Sequence, residues 1–154
     1  DTLAEEGLLK KSPMLFLEKC KKVDYERVRQ YREPYLRAAF MAFVEQKGYE
    51  KPEYKEFVAQ SWVYEYGVFR ALKKANNGAC WNEWPEEDRT WPENRHVLDT
   101  EAEAEARYQM FLQYIFYTQW MKVKKAANEA GIQIMGDVPF YVGQDVCRMC
   151  GAEG

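Results

Sequence analysis

Nowhere does this sequence hold the run of about 20 apolar residues that a membrane-spanning helix needs. Its first residues, DTLAEEGLLKK, lack both the basic start and the apolar core of a secretory signal. No membrane partner is expected, and a cytoplasmic location follows. Basic residues are not in excess either: 22 Lys and Arg stand against 25 Asp and Glu, a net charge of -3. That leaves no basic stripe for a phosphate backbone, so nucleic acid is excluded as a partner. Histidine is nearly absent. His96 stands alone in a loop-like stretch and is read as a surface residue rather than a metal ligand or a base. Cysteine is sparse, with Cys20, Cys80, Cys147 and Cys150 scattered through a chain long enough to build a core without disulfides. Reduced thiols are expected. Internal repeats are lacking, and the only low-complexity stretch is the helix-forming EAEAEA of 101–106.

The 154 residues present suffice for one domain, or for a piece of a larger one. Asp1 in place of an initiating Met points to the second. Apolar residues at 47% and charged ones at 31% give a globular balance. Aromatics, at 16% with 5 Trp and 11 Tyr, are abundant enough to fill a core and to stack on flat apolar ligand faces, sugars included.

Apolar residues from Val23 to Gln46 recur mostly at helical spacing, with Pro34 expected to kink the helix or divide it in two. Gly48 is read as its end. Pro52 sits where a first helical turn tolerates it, and the following EYKEFVAQSWVYEYGVFRALKKANNG reads as one or two packed helices stopped by Asn77 and Gly78. The segment ACWNEWPEEDRTWPENRHVLD has little periodicity and reads as an ordered loop pinned by Trp81, Trp84 and Trp91. Those three rings could serve as sugar platforms, but anchoring is the expectation. Glu86, Glu87 and Asp88 are read as a solvated charge run.

Asp99 or Thr100 can cap the next helix, whose acidic first turns suit the macrodipole and which should run to Ala130, with Gly131 as its stop. Its MFLQYIFYTQWMKVKKAA is apolar on more than one side, the pattern of a helix packed between layers, and Gln113 and Gln119 need partners or water. Next comes IQIMGDVPFYV, a short β-rich run, so a helix feeds a buried strand as in the αβ unit of a parallel sheet. A lone strand cannot form a sheet, so its neighbours must come from elsewhere.

Three stretches carry a resemblance: VDYERV; YEYGVFRALKKANNGACWNEWP; and FLQYIFYTQWMKVKKAANEAGIQIMGDVPFYVGQD. With W-x-x-W-P, Q-Y-x-F-x-x-Q-W and G-D-x-P-x-Y-V in order, residues 1–145 resemble the 4-alpha-glucanotransferases, the amylomaltase or disproportionating-enzyme family. The resemblance implies an α/β fold, a partial (β/α)8 TIM barrel that is helix-rich with helical insertions and ends at a barrel strand. In that frame 1–98 is a helical insertion, 99–130 a long helix and 132–142 the third barrel strand. Barrel enzymes place their chemistry at the C-terminal ends of the strands, so the resemblance sets Asp137, Tyr141 and Asp145 near the glucan cleft as substrate-binding residues.

The implied activity is transfer of α-1,4-glucan segments between maltooligosaccharides by a retaining mechanism, with no metal or organic cofactor. The family's catalytic carboxylates lie on later strands, so no catalytic residue is assigned here and the chain alone is expected to be inactive. After the third barrel strand the family continues Asp-Ser-Ala-Asp-Val-Trp or a close variant, whereas this chain reads Asp145, Val146, Cys147, Arg148, Met149, Cys150. A shifted reading frame across Arg148 to Cys150 can spell Asp-Val-Trp, so 146–154 is expected to be an out-of-frame tail. Two other readings stay open. A literal C-x-x-C at Cys147 and Cys150 could be a redox pair or half of a zinc site, and the helices could form a standalone interaction module.

Overall fold

The computed structural model describes residues 2–10 and 22–136 of the chain. Among them the secondary structure is helical: α1 (Thr2–Glu5), α2 (Tyr25–Glu45), α3 (Pro52–Val58), α4 (Ser61–Ala75), α5 (Glu86–Arg89), α6 (Trp91–Asn94) and α7 (Thr100–Glu129), with single 3-10 turns at Gly48–Glu50 and Trp81–Glu83. None of the described helices is long and apolar enough to cross a membrane. The chain divides into two compact units, one running to Lys55 and one from Glu56 onward, with the boundary inside α3.

In the first unit α2 starts on Asp24, whose Oδ1 accepts from the Arg27 amide at 3.0 Å. This satisfies one of the amides a helix start leaves unpaired. Pro34 removes one donor from the helical ladder, yet the helix is not divided and runs on to Glu45. The left-handed residue after its C-cap is Lys47 (φ 54°), not the expected Gly48. Gly48 is needed for a different reason: a Cβ there would run into the ring of Phe43. Phe43 is buried and lies 5.0 Å, centroid to centroid, from the buried ring of Tyr54. The end of α2 is tied to the turn after α1 by Gln46 Nε2, which donates to the Gly7 carbonyl at 3.1 Å.

The second unit is built on α4 against α7. Pro52 opens α3 as expected, and the run after it forms two helices rather than one. Helix α4 stops at Asn76, with Asn77 (φ 54°) and Gly78 (φ 76°) both left-handed. The Gly78 amide bonds the Lys73 carbonyl at 2.7 Å and the Asn77 amide the Lys74 carbonyl at 3.0 Å, which is the Schellman pattern. Asp99 caps α7 by accepting from the Ala102 amide at 2.7 Å, and the helix ends at Gly131 (φ 74°) with the Ile132 amide on the Ala127 carbonyl at 2.9 Å.

Val68, Ala71 and Leu72 of α4 form a buried cluster with Ala106 of α7 and with Trp84 and Trp91. The two helices meet at Gly67, where a Cβ would stand 2.8 Å from the Ala106 carbonyl oxygen and 3.1 Å from Met110 Cγ. The N-terminal half of α7 is buried on more than one side, through Ala106, Tyr108, Phe111 and Ile115. From Phe116 onward it is not: Phe116 is 65% and Val123 56% exposed. Tyr117 still lies 5.1 Å from the buried Phe57 ring, so the expected packing is realised as far as Tyr117 and falls away after it.

The strand expected over 132–142 is absent from its described part, 132–136, where Met135 is 94% exposed. An isolated segment has no ladder to satisfy its amides and carbonyls, and among the described residues no strand lies beside it. The remainder of that expected strand lies outside the described residues.

Gly67→Ala tests the helix contact. Alanine favours helix over glycine by about 1 kcal/mol, but its methyl must push α4 away from a backbone carbonyl, and overpacking of this kind costs about 1–3 kcal/mol. A net loss of stability is expected in urea unfolding. A variant more stable than the parent would show that the helices do not touch there.

Candidate functional site

Asp137, Tyr141 and Asp145, the residues set near a glucan cleft, lie outside the described residues, as do Cys147 and Cys150. The chemistry-bearing groups that are described gather instead in the tryptophan loop and along α4 and α7.

The loop is more structured than its sequence suggests, because a 3-10 turn and the single-turn helices α5 and α6 fill it. Trp84 and Trp91 are buried. Trp84 Nε1 donates to the Ala79 carbonyl at 2.9 Å, and Trp91 Nε1 to the His96 carbonyl at 3.1 Å. Each indole thus fills the core with its body and ties the loop with its polar edge. Trp84 also lies 5.3 Å from the Phe69 ring, and Trp91 meets Tyr64 edge-on at 5.9 Å. Both rings are anchors, as expected, and neither face is open to a sugar. Trp81 is half-buried and packs against the same cluster.

His96 is less exposed than a surface residue. Its side chain is 21% exposed, with Nδ1 3.1 Å from Asn94 Oδ1 and Nε2 3.7 Å from Asp88 Oδ1. Asp88 in turn accepts from Asn76 Nδ2 at 2.8 Å through its other oxygen. Asp88 therefore departs from the solvated charge run that Glu86 and Glu87, both exposed, do form. The hydrogen bond from Asn76 to Asp88 fastens the loop to the end of α4, with His96 beside Asp88, and sequence spacing alone could not bring these residues together. Arg95, left-handed at φ 49°, lays its guanidinium 4.6 Å from the Trp91 ring centroid and pairs with Glu65 Oε1 at 2.6 Å. Both partners of that pair are about half exposed, so it contributes on the order of 0–1 kcal/mol.

Two polar links cross from α4 to α7. Glu105, buried, accepts from Lys74 Nζ at 2.7 Å and from Gln109 Nε2 at 2.8 Å, so its charge is partnered. Tyr64 donates to Glu103 Oε2 at 3.1 Å, while Arg107 Nε donates to the other oxygen at 2.9 Å. Burial first, and then the negative charge of Glu103 and the bond to it, push the Tyr64 hydroxyl above the usual tyrosine range. Asp88, Glu103 and Glu105 are thus engaged in holding helices and loop together. Among the described residues no cluster of His, Cys, Asp and Glu could hold a metal ion.

The last turns of α7 differ from the rest. At 100° per residue, Phe116, Trp120, Val123 and Ala127 form one stripe, in which Phe116, Trp120 and Val123 are exposed. On the other side of the helix a shallow groove is lined by Thr118, Met121, Lys122, Lys125 and Asn128. Gln113 and Gln119 are both half-buried.

Fold and geometry together define a helix pair with an aromatic-pinned loop, in which Asp88, Glu103 and Glu105 serve packing. A family model described as 4-alpha-glucanotransferase matches residues 1–149, and the chain belongs to that family. The 4-alpha-glucanotransferase of Synechocystis sp. is 37% identical over 94% of this chain and 30% of its own length. That of Streptococcus pneumoniae is 32% identical over 97% of this chain and 30% of its own. That of Thermus thermophilus is 34% identical over 80% of this chain and 26% of its own. The chain thus spans less than a third of the length of these relatives.

Two variants test the scaffold. Trp91→Ala empties an aromatic site and is expected to cost about 3–5 kcal/mol, read as a lower urea midpoint and as faster proteolysis between Ala79 and Leu98. A loss below 1 kcal/mol would mean that the ring is not an anchor. Tyr64→Phe removes one hydrogen bond, at a cost of about 0.5–1.5 kcal/mol. A raised folded-state pKa gives stability that is complete below the unfolded value of about 10 and is lost as pH rises through the folded value. The gap between parent and variant should therefore be constant at neutral pH and shrink above pH ~10. A gap unchanged at higher pH would contradict the assignment.

Proposed function

We propose that this chain is the helix-rich portion of a 4-alpha-glucanotransferase that transfers α-1,4-glucan segments between maltooligosaccharides on a (β/α)8 barrel. The observation that carries this reading is the family match, which runs through residues 1–149 without leaving a described helix outside it. The exposed stripe of Phe116, Trp120 and Val123, followed by exposed Ile132 and Ile134, supports a barrel layer over α7 in the longer protein. The strand expected at 132–142 would then form against neighbours that the rest of that protein brings.

Retaining transfer needs two carboxyl groups about 5–5.5 Å apart. One carboxylate attacks the anomeric carbon while the other, as an acid, protonates the departing glycosidic oxygen, which leaves a covalent glycosyl-enzyme. An acceptor sugar hydroxyl then attacks the same carbon, its proton passing to the second group, and the first carboxylate departs. The reaction calls for no metal or organic cofactor. On this reading both groups lie beyond residue 145, and this chain supplies Asp137, Tyr141 and Asp145 as contacts to the glucan. A cytoplasmic setting belongs to the same reading. Residues 146–154 are read as an out-of-frame tail, which resequencing the coding DNA across Asp145 to Gly154 would test.

The purified 154-residue chain, free of host enzyme, is expected to leave maltotriose unchanged. Appearance of glucose and longer oligomers would overturn the placement of the catalytic groups. In the full-length protein, Asp137→Asn should lower kcat/KM for maltotriose by about tenfold or more, since a hydrogen bond to a charged group contributes about 1.5–3 kcal/mol. Unchanged kinetics would remove Asp137 from the cleft.

A further inference from the structure

No further inference is drawn: the strongest candidate, the exposed apolar stripe of Phe116, Trp120 and Val123 along the C-terminal half of α7, already serves the proposed barrel layer, and nothing in the structure shows any other partner that would cover it.

Discussion

The second unit depends on one close approach, the backbone of Gly67 against the carbonyl of Ala106. Because no side chain stands between them, α4 and α7 come near enough for Val68, Ala71 and Leu72 to close over Ala106, and for Lys74 and Tyr64 to reach Glu105 and Glu103. The same contact sets the floor on which the tryptophan loop rests. Trp84 and Trp91 enter the cluster that this helix pair makes, and their indole nitrogens fix the path of the backbone at Ala79 and His96. Widening the helix spacing would therefore loosen the loop even though no loop residue changed. Interiors are packed densely enough that such a displacement cannot be absorbed locally.

Function enters through what this scaffold leaves unfinished. Its partly buried carboxylates are partnered, its two buried tryptophans are anchors, and the C-terminal half of α7 carries apolar rings into solvent. The relatives that carry the activity in their names are more than three times as long as the part matched here.

Much of the helical layout was legible because the signals are local. Asp99 capping α7, Asn77 and Gly78 ending α4, and Gly131 ending α7 each follow from the backbone needs of one helix end. The tryptophan anchors were legible from three Trp and two Pro in a stretch with little periodicity. What stayed hidden depends on partners distant in sequence. Gly67 looks like an unremarkable helical glycine until Ala106 lies across it, and Gly48 looks like a stop signal until the Phe43 ring fills the space beside it. Asp88 reads as one of three solvated acids until Asn76 and His96 are brought to it. The cleft reading of Asp137, Tyr141 and Asp145 rests on resemblance alone, and all three lie outside the described residues.

The central claim is that α7 is held by packing as far as Tyr117, whose ring lies 5.1 Å from that of Phe57, and is largely uncovered from Trp120 onward. Amide hydrogen exchange on the isolated chain tests this most directly, since helical turns without tertiary contacts open easily. Slow exchange from Ala106 to Ile115, giving way to fast exchange from Trp120 to Glu129, is the predicted pattern. Uniform protection through Glu129 would contradict it, and would mean that the chain already covers the stripe assigned here to the rest of a barrel.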